Sequence, residues 1–297
     1  MAGATLGAGD ALRLPHRIMS RAPRLLFWTL LLALLAGVVL LAAAWTSAHG
    51  DPVVRRATLR LPDWPAGARP VTIALASDIH LGGGAMDAAR LTRTVDAIAA
   101  TKPDLVLLAG DFIDGHDPAT ARANAPALAA AFRRLRPPLG TIAVLGNHDN
   151  DSDPAAVAQA LRAAGATLLE NDAVTRGPLA IGGVGDAYSG RDDLPRTLDA
   201  VRRLPGARLL VTHSPDVAPS LPPDARLLFA GHTHCGQIVF PLIGALWIPS
   251  RYGARYRCGI IREGERTVIV GAGLGTSMLP LRLGAPPDIW LVRLTGR

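Results

Sequence analysis

Residues 71–80 read VTIALASDIH, in which a β-prone run, Val71 to Ala76, passes directly into Ser77-Asp78-Ile79-His80. A short apolar run bounded by polar residues reads as a buried strand, and the Asp and His that follow sit at its carboxyl end, where open α/β sheets collect their functional groups. The design recurs downstream. Leu105 to Ala109 ends in Gly110-Asp111, Thr141 to Leu145 in Gly146-Asn147-His148-Asp149, Arg208 to Thr212 in His213, and Leu227 to Ala230 in Gly231-His232-Thr233-His234. A solitary Asp or His at a strand end is more often a helix cap or a satisfied polar group than a ligand. Five clusters in succession are not explained that way.

Between the runs, Met86, Leu91, Val95 and Ile98 recur near helical spacing, as do Leu128, Phe132 and Leu135, then Val157 and Leu161, then Leu194, Leu198 and Val201. Strands alternating with helices predict a layered α/β domain with much parallel pairing. Later strands are expected at Leu179 to Gly183, Thr267 to Val270 and Ile289 to Leu294, enough for a second sheet packed on the first. Asp149, Asp151 and Asp153 imitate a calcium loop, but Pro154 stands where its sharp turn needs glycine, so Asp153 reads as the cap of a helix beginning at Pro154.

Toward the N-terminus the globular domain, 71–297, is preceded by a stretch at 45–70 rich in Pro, Arg and polar residues, which reads as a linker with one candidate edge strand at Ala57 to Leu61. Residues 25–44 carry no charge and only Thr29 as a polar side chain, long enough for a transmembrane helix. A cleaved signal peptide is the alternative, but the apolar run exceeds the usual length. In the basic segment 1–24, Arg13, Arg17, Arg21 and Arg24 outnumber Arg55, Arg56 and Arg60 beyond the span by one. That bias favours the domain outside the cytoplasm, on the periplasmic side of a bacterial inner membrane.

The formal charge of +7 is partly that N-terminal cluster, the remaining charges are scattered, and Lys102 is the only lysine. No basic stripe suited to nucleic acid is present, and none is expected to bind. Cys235 and Cys258 are too few for a disulfide framework and can pair or stay free.

The ordered set DxH, GDxx, GNHD, a lone His and GHxH resembles the calcineurin-like metallophosphoesterase superfamily over Val71 to His234. The longer GHTHCGQ, with SRYG and GLGTS beyond it, is similar to a membrane-associated bacterial subgroup that includes phosphodiesterases and UDP-diacylglucosamine pyrophosphatase-like enzymes. The resemblance implies an α-β-β-α sandwich and two divalent ions. Asp78, His80 and His234 would hold one, Asn147, His213 and His232 the other, and Asp111 would bridge them. Mixed carboxylate, carboxamide and imidazole donors suit Mn²⁺, Fe or Zn²⁺, whereas magnesium prefers oxygen and water.

Two ions about 3.5–4 Å apart make hydroxide available near neutral pH for in-line attack on phosphorus. His148, beside the ligands but not among them, is left to protonate the leaving oxygen, and Asp149 to orient its ring. The expected activity is hydrolysis of a phosphomonoester, phosphodiester or pyrophosphate. A non-catalytic metal-stabilised membrane scaffold, or a phosphatase acting on soluble or protein substrates, is the alternative.

The apolar run Phe240 to Pro249, including Trp247, follows the GHTH cluster directly. Core packing is one reading. The other is a groove or interfacial surface for a lipid-linked phosphodiester, with Arg251, Arg255 or Arg282 reaching phosphate oxygens.

Overall fold

Alternation along each strand decides which layer its side chains enter. The computed structural model describes residues 22–296, so Arg13, Arg17 and Arg21, on which the orientation expectation rests, lie outside the described residues. The strands in chain order are β1 (Val53–Arg60), β2 (Val71–Ala76), β3 (Leu105–Ala109), β4 (Thr141–Val144), β5 (Ala166–Leu168), β6 (Asp172–Arg176) and β7 (Leu179–Gly183). They continue as β8 (Ala207–Val211), β9 (Leu227–Ala230), β10 (Val239–Phe240), β11 (Gly244–Ala245), β12 (Gly259–Glu263), β13 (Arg266–Val270) and β14 (Asp288–Thr295). The helices are α1 (Ala22–His49), α2 (Ala88–Ala100), α3 (Pro118–Phe132), α4 (Asn147–Asp151), α5 (Pro154–Ala163) and α6 (Leu194–Arg202).

Among the described residues two six-stranded sheets form, ordered β1-β14-β2-β3-β4-β5 and β12-β13-β9-β8-β7-β6, with β10-β11 as a separate hairpin. Strands β2 to β5 run parallel, as do β13, β9, β8 and β7; antiparallel pairing occurs at β14-β2, β12-β13 and β6-β7. Ile73, Leu75, Leu107, Ile142 and Val144 point toward Ile181, Leu209, Val211 and Phe229 of the other sheet, closing the core between them. Their alternates Ala74, Val106, Leu108 and Ala143 face Leu91 and Val95 of α2, Leu128 and Phe132 of α3, and Leu161 of α5. Ala180, Leu210 and Leu228 likewise leave the central core and pack with Val201 of α6. The result is the expected α-β-β-α sandwich. The predicted helices form, and Asp153 caps α5 by accepting the Ala156 N–H, with Pro154 in its first turn.

Two expectations are corrected. The strand at Ile289 to Leu294 joins the first sheet, because β14 fits between β1 and β2 with Trp290 and Val292 facing the inner core. The stretch 45–70 is no free linker: α1 runs on to His49, and β1 pairs with β14 along its whole length from Val53 to Arg60. The described chain divides between Leu40 and Leu41 into two compact units. The first is the apolar length of α1, a helix long and apolar enough to cross a membrane, with a mean hydropathy of 2.7 over its most apolar window. The second contains everything else, including the last turns of α1, where Ala44 and Ala48 are buried.

Leu107 is fully buried between the sheets. Leu107→Ala is expected to lower the unfolding free energy by about 2–5 kcal/mol, read as a reduced urea midpoint; a shift no larger than that of an exposed-site control would exclude this packing.

Candidate metal centre

The ligand clusters sit at the carboxyl ends of β2, β3 and β4 in one sheet and β8 and β9 in the other, so the site is built across the top of the sandwich. Hydrogen bonds sew the strand ends together. Asp78 N–H donates to Gly110 O at 2.9 Å, His80 N–H to Asp111 O at 3.0 Å, and Gly231 N–H to His213 O at 2.9 Å. The His232 N–H reaches across the sheets to Asp78 Oδ1 at 2.9 Å. Turning the chain this sharply puts Asp78, His80, Asp111, His232 and His234 at positive φ, between 49° and 71°. Non-glycine residues there each cost roughly 1–2 kcal/mol. Such strain gathers where a site over-determines the backbone.

Close approach also requires glycine. A Cβ on Gly146 would overlap Asp111 Oδ1, and Gly110, at φ 80°, has Gly146 and the His213 ring against it.

The side chains converge on two points. Ligating atoms of Asp78, His80, Asp111 and His234 all lie within 4.8 Å of one another, as do those of Asp111, His213 and His232. Asp111 belongs to both groups, and its Oδ2 stands 3.6 Å from His80 Nε2 and 3.2 Å from His213 Nε2. Asn147 Oδ1 joins the second group 3.1 Å from His213 Nε2. Ring nitrogens face each other at 3.1 Å in two places, His80 Nε2 against His234 Nε2 and His213 Nε2 against His232 Nδ1. Only one nitrogen of such a pair can carry the proton between them, whereas a cation satisfies both lone pairs. The His213 Nδ1–H donates to Ala109 O at 2.8 Å, which leaves Nε2 facing the site. The donor set therefore fits two divalent ions, one beside Asp78, His80, Asp111 and His234 and one beside Asp111, His213 and His232.

Electrostatics agree. Burial alone would raise the Asp111 carboxyl, yet His213 and His80 outweigh it and hold the group well below the usual carboxylate range. Burial opposes charge on His213 as well, but Asp111 overrides it and lifts this imidazole well above its ordinary value. Burial, helped by His213, carries His232 down to about 3; burial with His80 and Arg282 takes His234 well below its usual value. His232 and His234 are thus neutral near pH 7 and offer lone pairs. Asp111 and His213 stand 3.2 Å apart with a proton between them favoured, and a metal ion held there would displace it.

His148 is half-buried beside these groups. Its backbone N–H donates to Asp111 Oδ1 at 3.0 Å, its Nδ1 lies 3.1 Å from Gly115 O, and its ring meets that of His80 edge-on at 4.7 Å. The expectation that Asp149 orients this ring is corrected. Asp149 is fully buried and accepts the N–H groups of Phe112 at 2.8 Å, Ile113 at 3.2 Å and Gly146 at 2.9 Å, clamping the GNHD turn to the end of β3. Burial and the nearby Asp111 raise its carboxyl to about 7.

Two of the three basic candidates are corrected too. Arg282 is completely buried and donates to the carbonyls of Ala272, Gly275 and Ala285, so it holds the GLGTS turn rather than a phosphate. That turn in turn holds the end of β2, with Gly275 N–H donating to Asp78 O at 2.7 Å. Arg255 is committed to Glu263 at 2.6 Å and stacks over Tyr256. Arg251 is exposed, and its backbone N–H donates to Asp216 Oδ2 at 2.8 Å. Trp247, 61% exposed, lines a cleft of about 160 Å³ with Leu246, Met278, Leu279 and the ligand His234.

Three residues at the site had no assigned role in the sequence. Asp114 Oδ1 stands 3.3 Å from His80 Nδ1, and its signal was a second acid three positions after Asp111. Tyr188 leans on the His232 ring at 4.6 Å, and His116 stacks on His148 at 4.7 Å; neither lies in a motif. The two cysteines are paired, with Cα atoms 4.9 Å apart, tying the turn after His234 to the chain entering β12.

A family model described as calcineurin-like phosphoesterase matches residues 71–236. The chain is 32% identical over 212 residues to the metallophosphoesterase YkuE of Bacillus subtilis, covering 69% of this chain and 72% of that protein. It is 31% identical over 246 residues to the phosphodiesterase YaeI of Escherichia coli, covering 79% of this chain and 86% of that one. A transmembrane protein with metallophosphoesterase domain from Danio rerio is 27% identical over 277 residues; the match takes in 87% of this chain but 61% of that longer protein.

Chelation is expected to lower the unfolding temperature, since strained ligands and facing imidazoles lose the charge that reconciles them; an ion at 1,000 times its Kd contributes about 4 kcal/mol. Calorimetry with and without EDTA, then with Mn²⁺ or Zn²⁺ restored, reads the effect, and an unmoved midpoint would count against metal binding. Gly146→Ala is expected to displace Asp111 and lower the metal bound per chain, measured by mass spectrometry.

Proposed function

Because the chain belongs to the calcineurin-like phosphoesterase family and is a hydrolase, we propose that it cleaves a phosphodiester or pyrophosphate bond in a lipid-linked or membrane-proximal substrate. The observation that carries this substrate class is the cleft in which Trp247, Leu246, Met278 and Leu279 stand beside the ligand His234. An apolar wall next to a phosphate-binding centre suits a substrate whose charged head and hydrocarbon part are close together. A UDP-diacylglucosamine-like compound has that form, as do phospholipid head groups and lipid-carried cell-wall intermediates.

When bound, two divalent ions supply charge stabilisation at phosphorus and a hydroxide nucleophile; Mn²⁺, Fe and Zn²⁺ are the candidates. The protein supplies the rest. Asp111, which belongs to both ligand groups, would be shared by the two ions. His148 donates its Nδ1–H to Gly115 O, which leaves Nε2 free; burial pulls this imidazole below its ordinary value, so Nε2 gives a proton to the leaving oxygen only when the ring is doubly protonated. Stacking of His116 on the His148 ring limits its rotation. Tyr188, packed on His232 and 57% exposed, offers an aromatic face beside the second ligand group.

A membrane location is supported by the length and hydropathy of α1 and by the transmembrane relative, and the arginine bias around the span favours the periplasmic side. The disulfide adds to it, since such bonds persist in oxidising compartments. An outward-facing domain would meet phospholipids and cell-wall phosphodiesters before a nucleotide-activated lipid. A C-terminal alkaline phosphatase fusion is expected to be active in cells and a fluorescent-protein fusion dark; the reverse pattern overturns the orientation.

Hydrolysis of an aryl phosphodiester with added Mn²⁺ is expected from the wild type, with His148→Ala slower by about 10²–10⁴-fold and Asp111→Asn near background. Equal background rates in all three would favour a non-catalytic scaffold. Trp247→Ser is expected to lower kcat/KM on a vesicle-presented phosphodiester far more than on the aryl diester, and equal effects on both would remove the lipid-linked reading.

A further inference from the structure

The tip of the β10–β11 hairpin and the turn after the GLGTS segment carry side chains that ordinary surface turns avoid. Leu242 and Met278 are effectively naked to solvent, at 108% and 90% exposure, and Ile243 beside Leu242 is 75% exposed. Both apices lie at positive φ, 70° for Leu242 and 64° for Met278, a conformation that normally selects glycine or asparagine. Bulky apolar residues there gain nothing from the fold, because neither is covered by it.

The two turns are also fastened into one face. Gln237 accepts the Ser277 N–H at 2.9 Å and donates to Ser277 O at 2.9 Å and Leu279 O at 3.0 Å, while Val239 N–H donates to Leu283 O at 2.8 Å. From Phe240 to Ser250 there is no charged residue, and from Ser277 to Leu283 only the buried Arg282.

We propose that Leu242, Ile243, Met278 and Leu279 form a rigid apolar face that enters the interfacial region of a phospholipid bilayer and seats the metal centre at the lipid surface. Continuity with the last turns of α1 selects the bilayer over a protein partner. The Arg282 N–H donates to Ala44 O at 2.9 Å, Pro280 packs against Gly84, and the His49 ring lies 3.2 Å from Gly84 O, so the end of the apolar helix is bonded to the turn that bears Met278. Exposed Trp45 there and Trp247 in the cleft suit the headgroup level, and exposed Arg251, in no ion pair among the described residues, suits lipid phosphates. This face rests on the reading of a membrane-borne substrate, which it gives a short path from bilayer to His234.

The test uses the full chain reconstituted in phosphatidylcholine and phosphatidylglycerol vesicles, with a thiol-linked environment-sensitive fluorophore at Leu242→Cys. The control is Glu265→Cys, on the exposed turn between β12 and β13. Spin-labelled lipids are expected to quench the Leu242 probe several-fold more than the control. Equal quenching overturns the proposal, as does a blue-shifted probe that the lipids fail to quench, which would report a second copy or another protein on this face. The double variant Leu242→Ser with Ile243→Ser is expected to keep its aryl diesterase rate and lose about tenfold on vesicle-presented diester; an undiminished vesicle rate counts against the face. Strong quenching without any vesicle-substrate activity upholds the face and sinks the substrate reading, whereas vesicle-specific activity with an unquenched probe does the reverse.

Discussion

Asp111 is the residue on which the site closes. It lies within reach of both ligand groups, accepts the His148 N–H, and sits so near Gly146 that no side chain fits between them. A buried carboxylate surrounded by imidazoles is tolerable only if its charge is answered, and here His213 and His80 answer it. Every neighbouring strand end is placed to keep that answer in position. The two sheets consequently cannot be regarded as independent layers: β3 brings the bridge, β2 and β4 bring ligands from the same sheet, and β8 and β9 bring the facing imidazoles from the other.

The outer supports follow from the same demand. A backbone forced through positive φ at five candidate ligands needs partners that hold it there, and they come from buried side chains committed to backbone groups. Asp149 spends both carboxylate oxygens on three backbone N–H groups, and Arg282 distributes its guanidinium among carbonyls of the turn that caps β2. Each is a buried polar group hydrogen-bonded by the peptide groups that it organises, an arrangement that fixes geometry at the expense of reactivity.

Much of this was legible in the chain because ligand chemistry is local. A strand that ends in Asp-x-His or Gly-His-x-His declares both the end of the strand and the purpose of the turn, and β2, β3, β7 and β9 were bounded correctly from their apolar runs alone. What escaped is non-local. Nothing in DIWLVRLT says that β14 slots between β1 and β2 across more than two hundred residues of chain, and although Ala57 to Leu61 reads as a candidate edge strand, the arginines of VVRRATLR hide that the strand begins at Val53 and is built into the sheet. The roles of Asp149 and Arg282 were misread for one reason: a charged residue near a motif signals either contact with substrate or support of a turn, and only burial separates the two.

The same distinction runs the other way at Trp247 and its neighbours. An apolar loop beside a hydrophilic centre is compatible with core packing or with exposure, and the core here is built without it: none of residues 240–249 enters the clusters that cover the faces of the two sheets. Outside those clusters, the run from Phe240 to Pro249 folds into a hairpin whose hydrophobic tip faces outward. Water would select against such a tip unless something apolar meets it, and the disulfide that braces the adjoining turn after His234 keeps that tip and the metal ligands in a fixed relation. Whatever meets the hairpin is therefore presented to the metal centre at a set distance, which makes apolar contact and phosphate positioning two aspects of one rigid surface.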